Sequence, residues 1–213
     1  MTPGLVLALL VGLWILNLVI SWWNARQCGL FWAEAKVLGG FARFLVWCVA
    51  IMSACGFTMC YGIVLLPGFY ALQHFCIEAG QPLLLTEEGL VAGMSLLYLV
   101  VMPFVLFTGF VMWLTSLYVA WKERDALSIG VASWNTFAQV HNTYEAMRGA
   151  PEAFGKVFEM FAKGDKKGNG IIIALVVLAL CLGIMTTWAI IYKYAGRRPL
   201  PERSDLEANA ARA

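Results

Sequence analysis

The sequence predicts an all-α integral membrane protein, with four transmembrane helices plus amphipathic interfacial helices on the cytoplasmic side. Three observations predict it. The 213 residues are 61% hydrophobic and only 13% charged, where a soluble domain is roughly half apolar and a quarter charged. The apolar residues fall into long runs, as a solvent that cannot hydrogen-bond requires. The basic residues stand between those runs, where membrane topology puts them. A net charge of +2 is too small to imply a nucleic-acid partner. The whole chain, 1–213, reads as a single polytopic domain.

The first span is 3–23, interrupted only by Asn17. "MTPGLVLALL" lacks a positively charged start and no small-residue cleavage pattern follows, so this span is expected to remain as an anchor. In the first loop, Leu30, Phe31, Ala33, Val37 and Leu38 predict a short helix along the inner surface, and Gly39-Gly40 the turn that follows. Trp22, Trp23, Trp32 and Trp47 crowd one depth, as an interfacial aromatic belt does.

The second span is 44–66, closed by Pro67-Gly68. Ala50, Ala54, Gly56 and Cys60 give it small residues at four-residue spacing, a pattern that lets helices approach closely. With Asn17 as an interhelical hydrogen-bonding group, these are the candidate helix-packing residues. They fit packing within one chain or at a subunit interface.

The third span, 89–121, is about half again as long as the roughly 20 residues that cross about 30 Å of hydrocarbon. It must tilt, kink at Pro103 or project beyond the bilayer. Glu87 and Glu88 precede it and complement a helix N-terminal dipole. The fourth span is 171–192, and a polar tail, 193–213, follows it.

Between spans three and four lies a cytoplasmic amphipathic segment, 122–169. "SWNTFAQVHNTYEAM", residues 133–147, carries no charge before Glu145. On a helical wheel Trp134, Phe137, Val140, His141, Tyr144 and Met147 share one arc, and Asn135, Thr136, Gln139, Asn142 and Thr143 the other. A helix over 127–147 is therefore expected to lie in the interface, aromatics down. Its amides suit hydrogen bonds to other protein, so Trp134, Asn135, Phe137, Gln139, Asn142 and Tyr144 form the candidate interaction surface. Gly149-Ala150-Pro151 is expected to break this helix. A second follows, with Phe154, Val157, Phe158 and Phe161 on one stripe.

Orientation follows from Lys and Arg. The first loop holds Arg26, Lys36 and Arg43; the second, 71–88, holds neither residue type, only His74, Glu78, Glu87 and Glu88. The third holds Lys122, Arg124, Arg148, Lys156, Lys163, Lys166 and Lys167. Loops one and three are then cytoplasmic and both termini outside. The basic tail, with Lys193, Arg197, Arg198, Arg203 and Arg212, argues the other way. A fifth crossing at 133–147 would bring it inside, at the cost of burying Asn135, Gln139, Asn142 and Glu145. Four spans are preferred. A bacterial inner membrane fits so economical a chain.

Chemistry is sparse. The six cysteines lack CxxC spacing, and most lie in spans, where cysteine packs as a small residue. Cys76 alone stands in an outer loop. The two histidines, His74 and His141, are expected on opposite sides, which excludes a shared haem or metal. No Asp, Glu, Lys, Arg or His lies inside a span, unlike an ion-coupled carrier. No cofactor is expected and no enzyme activity. The expected function is a structural or interaction subunit of a larger membrane assembly, of the secretion, conjugation or phage-related kind. Its partners would be the bilayer and other membrane subunits or further copies. An oligomeric pore lined in part by Thr108, Thr115 and Ser116 is the alternative, and a membrane enzyme the third reading.

Overall fold

Proline at a first helical position loses no hydrogen bond. Helix α1 accordingly opens at Pro3 and runs to Leu38. The computed structural model describes residues 2–76, 83–163, 166–195 and 197. Among these, α1 (Pro3–Leu38) is followed by α2 (Gly40–Cys76), α3 (Glu87–Glu123), α4 (Ala126–Ala162) and α5 (Lys166–Tyr194). All but α4 are long and apolar enough to cross a membrane. The protein is therefore all-helical, with four candidate spans. Glu78, Arg198, Arg203 and Arg212, which entered the topology expectation, lie outside the described residues.

The turns are tight. Gly39 alone separates α1 from α2 at φ +107°, a conformation that a side chain resists. Arg124 and Asp125 alone separate α3 from α4, with Arg124 left-handed at φ 55°. Thr86 caps α3, its Oγ1 accepting from the Gly89 N–H at 3.1 Å. Gln73 latches the end of the α2–α3 connection. Its Oε1 accepts from the Leu84 and Leu85 amides at 3.1 and 3.0 Å, and its Nε2 donates to the Leu85 carbonyl.

Contacts set the directions. Asn17 meets Gly56, Ser21 meets Ser53, and Cys28 meets Val46, so α1 and α2 are antiparallel. Thr58 packs on Gly183, and Ser53 lies 3.4 Å from Thr187, so α5 is antiparallel to α2. Leu97 packs on Gly62 and Leu66 on Gly93, so α3 is antiparallel to α2 as well. Helices α3 and α5 therefore run parallel from a shared end, where Ile172 sits against Gly89 and Gly93. The main core lies between α2, α3 and α5, around Leu66, Leu97, Val101, Val176 and Ala179. A second cluster, with Ala25, Cys28, Ala50 and Ile191, joins α1, α2 and α5.

Because α3 and α5 start at one end, α4 must return the length of the bundle between them. It does so antiparallel to α3. Ser128 reaches Glu123, Thr136 meets Trp113, Gln139 meets Leu106, Glu145 meets Tyr98, and Lys163 pairs with Glu88.

Four expectations are corrected here. The first loop forms no separate interfacial helix, because 30–38 is the last part of α1. Pro67-Gly68 does not close α2, which continues to Cys76. Gly149-Ala150-Pro151 does not divide the amphipathic segment, since α4 is continuous over its 37 residues with Pro151 inside. The segments around Glu88 and Lys163, expected on opposite sides, meet in an ion pair at one end. At Pro67 and Pro151 the reason is local: an internal proline forfeits one backbone hydrogen bond, whereas ending the helix leaves several N–H and C=O groups without partners. The fourth follows from the length of α4. At 1.5 Å per residue it reaches about 55 Å, enough to carry the chain from one end to the other.

Candidate interaction surface on helix α4

Helix α4 begins with a strong cap. Asp125 Oδ1 accepts from the Leu127 and Ser128 amides at 2.9 Å each. Hydrogen bonds from the Ser128 side chain and backbone hold the Asp125 carboxyl below its ordinary range. At the far end, Glu88 beside Lys163 holds that ammonium above its ordinary range.

One face of α4 is a seam on α3. Ala132, Ala146, Ala153 and Met160 are its buried residues, spaced by seven or fourteen, with Gln139 on the same register. A seven-residue repeat of small side chains keeps a helix pair in close contact along its length. Thr136 Oγ1 accepts from the Trp113 indole at 2.9 Å and donates to the Ala132 carbonyl at 2.7 Å. Gln139 Nε2 donates to the Leu106 carbonyl at 3.4 Å, while its Oε1 is buried without a donor. A Cβ at Gly109 would stand 2.6 Å from that oxygen, so a side chain there would push the Gln139 amide aside. Tyr98 Oη donates to the Glu145 carbonyl at 3.2 Å and also lies against Gly149.

The opposite face has no partner among the described residues. Trp134, Phe137, Val140, Tyr144 and Met147 are all at least 59% exposed. Trp134 and Phe137 have ring centroids 6.0 Å apart, and His141 stacks on Phe137 at 6.0 Å and 4°. Phe154 and Phe158 continue the exposed apolar surface. The six candidate interaction residues thus divide. Trp134, Phe137 and Tyr144 are exposed; Gln139 faces α3, with Asn135 and Asn142 half-buried beside it.

The candidate helix-packing residues come together elsewhere. Asn17 Nδ2 donates to the Gly56 carbonyl at 3.2 Å and to Cys60 Sγ at 3.3 Å. Ala50 is buried against Ala25, Cys28 and Ile191, and the Ala54 carbonyl lies against Gly183. Gly56 itself lies hard against Ser21, and two glycines that the sequence reading passed over also approach the backbone of a neighbouring helix. A Cβ on Gly183 would lie 2.7 Å from the Thr58 nitrogen, and one on Gly29 would lie 2.7 Å from the Ile191 oxygen. Both sit in small-xxx-small runs of their own helices, Ala179-xxx-Gly183-xxx-Thr187 and Ala25-xxx-Gly29-xxx-Ala33, so the spacing that marked α2 could have found them too.

The remaining chemistry is dispersed. Cys28, Cys48, Cys55 and Cys60 are buried, while Cys76 and Cys181 are exposed. His74 sits edge-on to Tyr70 at 4.8 Å and His141 rests on α4. Among the described residues no three His, Cys, Asp or Glu side chains converge as metal ligands do. Thr108 is fully buried, and Thr108, Thr115 and Ser116 each donate to a carbonyl of their own helix. Comparison with protein-family models, curated proteins and solved structures finds no match.

Proposed function

We propose that this protein is a non-catalytic membrane subunit that joins a larger assembly through the outward face of α4. The observation that carries this reading is the register of α4 along the apolar helices. Glu145 stands level with Tyr98, whose neighbour Leu97 packs on Gly62 inside the apolar α2. Glu145, Arg148 and Glu152 are exposed on α4 beside an aromatic surface, alongside helices long and apolar enough to cross a membrane. A charged side chain facing hydrocarbon at such depth costs several kcal/mol, and membrane proteins turn such groups toward other protein or water. The aromatic face supplies the anchors that protein interfaces favour.

In this reading α4 accompanies α3 through the membrane as a fifth traverse. The Gly39 turn, the Arg124–Asp125 turn and the end of α5 then share one side. That side gathers Lys36, Arg43, Lys122, Arg124 and Lys193, against Lys156, Lys163 and Lys167 toward the other end, and positive-inside favours it as the cytoplasmic side. A bacterial inner membrane remains the proposed location.

Photo-crosslinking tests the docking. A photoreactive residue at Phe137 or Glu152 should capture a protein, whether a partner or a second copy. The same residue at Leu10, exposed on α1, should capture lipid. Lipid adducts alone at all three positions would end the proposal. The absence of catalysis has its own test. A variant with all cysteines replaced by Ser or Ala, and both histidines by Gln, should assemble as the parent does. A bound cofactor in the parent, lost in that variant together with function, would contradict the non-catalytic reading. The pore alternative has less support, because Thr108, Thr115 and Ser116 spend their hydroxyls within α3.

A further inference from the structure

At the Gly39 end a second feature stands apart from α4. Trp32 of α1, Trp47 of α2 and Trp188 of α5 form one aromatic cluster. Trp32 lies edge-on to Trp47 at 5.6 Å and to Trp188 at 5.7 Å, and Trp47 stacks on Trp188 at 6.0 Å. A cavity of about 220 Å³ opens beside it, lined by Trp32, Ala35, Lys36, Arg43, Val46 and Trp47. Its two charged residues are both cations, and none of its lining residues is acidic. The Gly39 turn brings the two cations together, and Arg43 Nη2 donates to the Lys36 carbonyl at 3.0 Å. That bond uses one guanidinium nitrogen and leaves other donors free. The indole N–H groups of Trp32 and Trp47 donate to no protein acceptor among the described residues.

We propose that this cavity binds the phosphate of an anionic phospholipid, with Lys36 and Arg43 on the phosphate and the lipid chains laid over Trp47 and Val46. The chemistry is complementary at each point. Two adjacent cations and unused N–H donors match a phosphodiester, and Arg presents a planar fork to its oxygens. Tryptophan clusters mark the level at which headgroup meets acyl chain. Basic pockets between membrane helices bind anionic headgroups through these same contributions. Trp47 and Trp188 are each about half exposed, at 47% and 49%, so the walls remain open to a chain approaching from the bilayer. The site does not depend on α4 and stands whether or not α4 docks a partner.

Native mass spectrometry of the full chain in detergent tests it, with titration of phosphatidylglycerol or phosphatidylcholine. The parent should retain phosphatidylglycerol in preference. Lys36→Gln with Arg43→Gln should weaken that retention about thirtyfold, from about 1 kcal/mol per cation. Lys36→Arg with Arg43→Lys should keep most of it. Lys122→Gln with Arg124→Gln, at the same end but on the other hairpin, should leave it unchanged. Excess inorganic phosphate should not displace the lipid. Equal retention of the two lipids, or an unaffected Lys36→Gln/Arg43→Gln variant, would overturn the proposal. Displacement by inorganic phosphate would reveal a bare-anion site and overturn the lipid assignment.

Discussion

Glycine 183 lets α5 touch α2, and its replacement is the sharpest test of packing. A methyl there meets backbone atoms, Thr58 N at 2.7 Å and Ala54 O at 2.9 Å, neither of which can rotate away. Gly183→Ala should destabilise the protein by about 1–3 kcal/mol, the usual cost of overpacking. Gly155→Ala, with nothing within 4 Å, should be neutral or slightly stabilising. Chemical unfolding in mixed micelles compares them. Gln139 makes the opposite prediction. Its buried Oε1 lacks a donor and its one bond is long, so Gln139→Met should cost little or even stabilise the α3–α4 hairpin. A large loss in the same unfolding assay would show that the amide stabilises the hairpin and contradict this expectation.

Asp125 gives a pH dependence at the same scale. Its folded pKa is lowered, so the cap stabilises α4 fully above the ordinary carboxylate value of about 3.9. That contribution fades as pH falls through the lowered folded value. Asp125→Asn keeps an N-cap acceptor but has no proton to bind, so it should remove this part of the acid sensitivity. Protease cleavage near the α3–α4 turn, measured across acid pH in parent and variant, checks the difference.

At the level of elements, the four apolar helices were legible because a bilayer imposes uninterrupted runs that no polar loop imitates. Their ends were not. Pro67-Gly68 and Gly149-Ala150-Pro151 are turn signals where water can take up the freed backbone groups, and α2 and α4 continue through both. The wheel of α4 separated aromatics from amides, but the sequence contains nothing to name α3 as the helix the amide side meets. Trp113 and Gly109, which complete that seam, read only as apolar residues of a span. The two faces should answer separately to mutation. Trp134→Asp with Phe137→Asp should abolish co-purification of a partner while the isolated chain stays folded. Thr136→Val with Gly109→Leu should loosen α4 from α3, seen as faster backbone hydrogen exchange over 126–147. Loss of folding in the first pair would show that the aromatic face belongs to the chain's own core.

For the molecule as a whole, the Lys and Arg count treated 122–169 as one loop on one side. A helix as long as α4 spreads Lys122 and Lys163 to opposite ends of the bundle. The sequence also contains a counter-signal, the basic tail that four spans would leave outside, and the fifth traverse proposed above answers it. The account rests on α4 being a traverse of the bundle and not a helix lying on its surface. Cysteine labelling in intact cells, in a cysteine-free background with single replacements at Glu87, Lys167 and Arg197, tests this most directly. An impermeant maleimide should reach Glu87→Cys and Lys167→Cys from the same side, outside, and Arg197→Cys only after the membrane is opened. Labelling of Glu87→Cys and Lys167→Cys from opposite sides would contradict the account.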